Sequence, residues 1–248
     1  MIALCVVVGV LRNSVALQGC HRCFFKLHGG RELFVYAETL TGDSRQRADA
    51  TASQLWPASR AAARFVAKHI ELSRERLTVC ELGCGLGAPA ISAALFGARA
   101  IATDVDERAL ARVRAAARDQ RIPVETRALD VCDASVRLPR ADVFVLADVV
   151  AGSRLSKAVA DRVCEAYDTG ALVIVAMDAA RAQRADVLRH LREASSWPVA
   201  SSSLDFQPAP FWDYQVARHL RARSTRPRNI IMPVLLHVDE EDPTLYHH

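Results

Sequence analysis

The stretch Val79-Cys80-Glu81-Leu82-Gly83-Cys84-Gly85-Leu86-Gly87-Ala88-Pro89 limits what this chain can fold into more than any other part of it. An apolar run ends in an acid, a glycine-rich turn follows, and a helix of small residues opens at once. Glycine has no Cβ and tolerates positive φ, so such a turn lets backbone pass close to a bound ligand. It suits the first β-α unit of an open parallel sheet, whose ligands lie outside the carboxyl ends of the strands.

The residues that follow keep the pattern. Apolar runs at 77–82, 98–104, 124–130, 141–148 and 171–177 predict strands, and helical spacing predicts helices at 88–96, 107–120, 153–167 and 181–195. Strands alternating with helices in this way predict a parallel sheet covered on both faces. Ahead of it, 32–38 alternates as a strand and 39–52 reads as a loop. Leu55, Ala62, Phe65, Val66 and Ile70 then mark a helix over 55–70, with Pro57 in its first turn. Behind it, 199–206 and the apolar run 230–238 read as last strands, the second closing a sheet edge.

With 248 residues, 51% of them hydrophobic, the chain can bury a large core. Its net charge is +4, and 29 of the 32 basic residues are arginine. Arginine grips phosphate and carboxylate, but these arginines are scattered and alanine is abundant too, which fits coding bias better. Seven cysteines, several inside predicted strands, fit buried thiols in a reducing compartment and not a disulfide framework. The single CxxC, Cys20-His21-Arg22-Cys23, has no second pair at zinc-ligand spacing, so no metal site is expected. No stretch is long and apolar enough to span a membrane. Residues 1–31 hold no acid but do hold Arg12, Arg22, Lys26 and Arg31, a balance that mitochondrial presequences show. The alternating Val and Leu of 1–11 fit an ordinary strand equally. The expectation is an intracellular protein, cytoplasmic or nuclear, with the mitochondrion as the alternative.

Gly83, Gly85 and Ala88 also satisfy the dinucleotide fingerprint, and Asp104 stands near the spacing of a ribose-binding acid. Three features point away from NAD. Glu81 precedes the first glycine by two, more than seventy residues precede the motif, and further acids, Asp130 and Asp148, end the next two strands. With three lysines in all, no Tyr-x-x-x-Lys pair exists to act as a reductase acid.

This set of strand-end acids resembles the class I S-adenosylmethionine (SAM)-dependent methyltransferases. It is most similar to their family 16 branch of protein methyltransferases, which joins a WPAS-like segment to a glycine turn of this type. The counterparts here are Trp56-Pro57-Ala58-Ser59 and residues 81–90, followed by Leu95-Phe96-Gly97-Ala98 and Ala102-Thr103-Asp104. The resemblance covers about residues 33–240. It implies an α/β fold: a Rossmann-like, seven-stranded class I methyltransferase sheet with helices on both faces and a small N-terminal β extension. The expected division is 1–52 extension and loop, 53–240 methyltransferase domain and 241–248 tail.

The resemblance also implies the site. Gly83, Gly85 and Gly87 bring backbone amides against the methionine and ribose of SAM. Asp104 accepts the ribose hydroxyls, and Asp130 with Val131 meets the adenine. Glu81 and Asp148 lie near the cationic methionine end, and Trp56 packs over it. Asp148 is also the candidate catalytic acid, the first member of an acid-x-x-aromatic motif that holds a lysine amine. Here that motif reads Asp148-Val149-Val150-Ala151, and the family's Leu-Asp-Trp at the adenine reads Leu129-Asp130-Val131, so both aromatics are missing. Phe211-Trp212-Asp213-Tyr214 is a candidate replacement, and His219 with Arg218, Arg221 and Arg223 is a basic patch. The expected function is SAM-dependent N-methylation of a protein side chain, with a protein substrate or partner complex favoured over nucleic acid. The alternative is a methyltransferase fold with weak or lost activity, kept as a structural subunit or assembly factor of a larger complex.

Overall fold

The computed structural model describes residues 17, 19–39, 52–73, 76–149, 152–178, 183–194 and 234–238. The expectations for 1–11, 199–206, Ala151, the aromatic run 211–214 and the basic patch at 218–223 lie outside these residues. So does most of the loop 39–52.

An antiparallel hairpin comes first, β1 (Cys20–Lys26) and β2 (Glu32–Glu38), with Phe24 opposite Phe34 and Arg22 opposite Tyr36. Helix α1 (Pro57–Leu72) follows, then β3 (Thr78–Leu82), α2 (Ala88–Leu95), β4 (Arg99–Asp104), α3 (Glu107–Asp119), β5 (Val124–Ala128), β6 (Val143–Ala147), α4 (Ser153–Asp168), β7 (Leu172–Asp178), α5 (Gln183–Ala194) and β8 (Val234–Val238). Strands β3 to β8 form one sheet in the order β5-β4-β3-β6-β7-β8, every neighbouring pair parallel. Six strands of the expected sheet thus lie among the described residues, and the apolar run 230–238 supplies the edge strand.

Alternation along each strand sorts the core into two layers. Val79, Ala100, Ala102, Val143, Val145 and Ile174 face α1, α2 and α3. Cys80, Leu82, Ile101, Phe144, Leu146 and Val175 face α4 and α5. Helix α2 is nearly all small side chains and is buried from Ala88 to Ala94, because it lies between α1 and the sheet. There the Ser92 hydroxyl donates to the Ala63 carbonyl of α1 at 2.8 Å.

The hairpin belongs to the same body. Phe25, Leu33, Val35 and Ala37 on its inner face join the first apolar layer. The Gln120 side chain, just past α3, exchanges hydrogen bonds with the Phe34 backbone, accepting at 3.0 Å and donating at 2.8 Å. Sequence reading missed β1, because Cys20–Lys26 shows no regular alternation of apolar and polar side chains. Cys20 and Cys23 stand three apart on a strand, so their side chains point to opposite faces and cannot clamp one ion.

Candidate functional site

The strand order reverses between β3 and β6: from β3 the chain moves first to β4 and β5, then returns to β6 and β7. Parallel sheets open a crevice at such a switch point. The glycine turn leaves β3 there. Cys84 N donates to the Thr103 carbonyl at 2.8 Å, and Gly87 N donates to the Cys84 carbonyl at 2.7 Å. Gly85 N donates to Asp104 Oδ2 at 2.8 Å. Three amides of the turn are therefore already engaged inside the protein. What the turn offers a ligand is close approach of backbone rather than a row of unused donors.

Two of the glycines are also demanded by the protein itself. A Cβ on Gly83, at φ 64°, would stand 2.6 Å from a methyl of Val149, and one on Gly87, at φ 73°, would stand 2.6 Å from a methyl of Val113. A Cβ on Gly85 would make only ordinary contact, 3.5 Å from the Ala52 carbonyl. The turn is thus enclosed by the residue after Asp148, by α3, and by the segment leading into α1. That last segment carries Trp56, which is half-buried at the N-cap of α1, with Pro57 in the first turn.

Two acids flank the turn. Glu81 is 1% exposed and shares the layer of Val79. Its Oε2 accepts from Ala90 N at 2.9 Å, in the first turn of α2, where backbone donors and the helix dipole favour negative charge. Its Oε1 has no hydrogen-bond partner among the described residues. Burial pushes the Glu81 carboxyl well above the usual carboxylate range, the Ala90 hydrogen bond pulls it back in part, and Asp104 adds to the rise. Asp104, 7% exposed at the end of β4, accepts from Gly85 N on one oxygen and from Asp106 N at 2.9 Å on the other. Burial raises its pKa, against the pull of those two amides. Asp106 is the N-cap of α3, accepting from Arg108 N, which explains the acids at that helix start.

The next two strand ends differ. Asp130 lies two residues beyond β5, exposed, and accepts from Cys132 N at 2.8 Å; Val131 beside it is buried. Asp148 directly follows β6 and is buried at φ 60°, with its amide donating to the Ala176 carbonyl at 2.8 Å. A non-glycine residue in the left-handed region is uncommon and clusters at functional sites.

Sequence reading did not find Arg162. This α4 side chain is 3% exposed, and its Nε donates to the Val131 carbonyl at 3.2 Å. It also donates to the Asp133 carbonyl and pairs with Glu165, whose other oxygen accepts from Leu138 N at 3.0 Å. A buried arginine, paired with the half-buried Glu165, thereby pins the loop that carries Asp130 and Val131. An arginine one helix away from the motif leaves no local signal.

A parallel sheet of this order, with acids at the ends of β3, β4 and β6 around a glycine turn, is the architecture of class I methyltransferases. Residues 79–167 match the family model described as "Methyltransferase domain". A 16S rRNA guanine methyltransferase of T. thermophilus, solved with AdoMet and guanosine, aligns at a TM-score of 0.50 and 15% identity, over 69% of this chain and 45% of that one. The magnesium protoporphyrin IX methyltransferase of Synechocystis, solved with SAH, aligns at 0.35 and 18% identity, over 50% and 56%. A tRNA uracil methyltransferase of Pyrococcus abyssi, solved with S-adenosyl-L-homocysteine, aligns at 0.38 and 14%, over 62% and 34%. The chain spans a little under half the length of the rRNA enzyme and of two Pyrococcus horikoshii structures that it matches. A comparison with curated proteins finds no match.

The matched segment is similar to a methyltransferase domain, and the fold is the one that the rRNA enzyme shows. The match is to the general domain, not to the lysine branch of family 16. The preference for a protein substrate or partner complex is corrected here: the structure that shares the fold at a TM-score of 0.50 is an rRNA methyltransferase, and no match supports a protein acceptor. The reason is physical: Trp56 to Ser59 and the glycine turn lie together at the switch point, and motifs there carry no information about an acceptor. Among the described residues no helix is long and apolar enough to cross a membrane, and no three His, Cys, Asp or Glu are grouped to hold a metal ion.

Proposed function

We propose that the chain transfers a methyl group from SAM to a nucleic acid, with its cofactor site at the switch point between β3 and β6. The observation that carries the site is the pair Glu81 and Asp104, buried acids on either side of the glycine turn. An unsatisfied buried acceptor costs about 1–3 kcal/mol, so Glu81 Oε1 suits a cationic group such as the methionine ammonium. Asp104 uses one lone pair of each oxygen on backbone, and a carboxylate offers about four acceptor sites, so the ribose hydroxyls fit the remainder. In this reading Asp130 accepts from the adenine amine and Val131 covers the ring. Gly83, Gly85 and Gly87 keep backbone close to the methionine and ribose, Trp56 closes the methionine end, and Asp148 faces the acceptor. The domain is taken as 53–240, with 1–52 as its docked extension and 241–248 as its tail. The WPAS segment, Trp56 to Ser59, supports placing the cofactor end near the family 16 branch.

The bound cofactor supplies an electrophilic methyl on a sulfonium. Transfer is an in-line displacement, so the work left to the protein is alignment. Nucleic acid as acceptor is supported by the rRNA enzyme, which shares the fold over most of this chain. Calorimetric titration with SAM tests the site. A dissociation constant on the order of micromolar is expected, about −8 kcal/mol. Asp104→Ala should weaken it by about 1.5–3 kcal/mol, the worth of hydrogen bonds to a charged acceptor. Unchanged affinity in that variant would sink the assignment.

A further inference from the structure

We propose that the outer face of the β1–β2 hairpin is a binding platform for single-stranded nucleic acid. Its inner face is already in the core, while on the outer face Phe34 and Tyr36 are only partly buried and Phe24 is exposed. Yet that face carries three rings in a row. Phe24 and Phe34 are cross-strand partners with centroids 5.4 Å apart, and Phe34 and Tyr36 lie 5.6 Å apart, edge to face. Phe24 is 49% exposed, unusual for a large apolar side chain. The Arg22 guanidinium lies over the Phe34 ring at 4.8 Å and reaches the Tyr36 ring at 6.0 Å.

Cross-strand rings do stabilise hairpins, each pair by about 0.2–1 kcal/mol. That purpose is served by apolar side chains of any shape, whereas here a guanidinium stands over the rings, its Nε donating to the Tyr36 hydroxyl at 3.4 Å. Two acids pair across this face: Glu32 stands opposite Lys26, and Glu38, opposite Cys20, is held by the buried Arg112 of α3. Asp119, at its margin, is engaged by the Tyr36 hydroxyl at 2.7 Å and by Arg118 at 3.2 Å. Cationic side chains among exposed rings are what an unpaired strand asks for: every base has a π-face to stack, and the backbone is anionic. An acidic peptide would use the charges and ignore the rings.

The platform is remote from the chemistry. Asp119 ends α3 and Asp106 begins it, a separation of about 20 Å at 1.5 Å per residue. It would hold a part of the substrate that does not react, and binding energy from remote parts can position the reacting part. This inference rests on the methyl-transfer reading only for what the bound strand is for.

The test is fluorescence anisotropy of a short labelled oligouridine RNA titrated with the full chain, without SAM. Phe24→Leu, which keeps the face apolar, should weaken binding about tenfold, within the range of one lost base stack. Phe24→Trp should hold or improve it. Arg22→Gln should weaken binding and lower the salt slope by about one ion. All three should keep SAM affinity, and the melting temperature should fall by no more than about 2–4 °C, the worth of one cross-strand pair. Wild-type affinity in Phe24→Leu, or no binding of the oligonucleotide by the wild type, overturns the platform. So does a poly-glutamate peptide that binds equally well with the same variant ranking. Loss of SAM binding with RNA binding intact would fault the methyl-transfer reading and leave the platform standing.

Discussion

Asp104 and Asp130 follow neighbouring strands of one sheet, yet the fold treats them in opposite ways. Asp104 is buried, takes both of its amide donors from the glycine turn and the start of α3, and has its pKa raised by burial. Asp130 is exposed and closes only a turn of its own loop. The β3–β4 half of the crevice is therefore rigid by local design, since residues 81–106 supply nearly all their own partners. The β5–β6 half depends on a distant helix, through Arg162. Rigidity in one half and borrowed support in the other suit a site that must hold one part of a cofactor fixed.

The sharpest way to break this contrast is Gly87→Ala. The new Cβ meets Val113 at 2.6 Å, and the residue sits at φ 73°. Left-handed strain of about 1–3 kcal/mol adds to overpacking of similar size, so a stability loss of about 3–4 kcal/mol is expected in denaturant unfolding. Adding Val113→Ala should return the packing share and leave the backbone share. If the double variant is no better than the single, the crowding account is wrong.

Arg162→Met should come next. Removing one partner of a buried pair costs about 3–5 kcal/mol, but Glu165 is 35% exposed, so about 2 kcal/mol is expected. The informative readout is separate: hydrogen exchange should rise at Cys132 and Leu138, whose amides close this loop, and stay unchanged at Gly85. Equal change at both would erase the distinction between the halves. Asp130→Ala should be smaller still, about 0.5–1 kcal/mol for one exposed hydrogen bond, with little effect on the melting temperature.

Glu81 sharpens the contrast through pH. Its folded pKa lies well above the ordinary value because of burial. A raised carboxyl binds its proton more tightly in the folded state. Its contribution to stability is full below the unfolded value and is lost as pH rises through the folded one. Glu81→Gln should remove that fall in melting temperature while leaving the acid side of the profile alone. If a cation binds Glu81, the ionised form is preferred in the complex, so SAM should bind more tightly as pH rises, with proton release. Titrations in buffers of different ionisation enthalpy would detect it. Binding without proton release would place the ammonium elsewhere.

Much of this was legible from local pattern. The strands β3 to β7 and helices α2 to α5 follow from apolar periodicity, which depends on near neighbours alone. The glycine turn and the acids at the ends of β3, β4 and β6 were readable for the same reason: each occupies a register position that a strand's length determines. What tertiary structure decided is where those groups point and whom they meet. Gly83 and Gly87 read as room for a ligand, and the fold adds a second demand, room for Val149 and Val113, because side chains from other elements converge on the turn. Glu81 turns into the start of α2, and Cys20-x-x-Cys23 becomes one strand of a hairpin with an aromatic outer face. Arg162 reaches its loop from α4. Periodicity is a property of neighbours along the chain, whereas burial and hydrogen bonding depend on elements that only the folded sheet brings together.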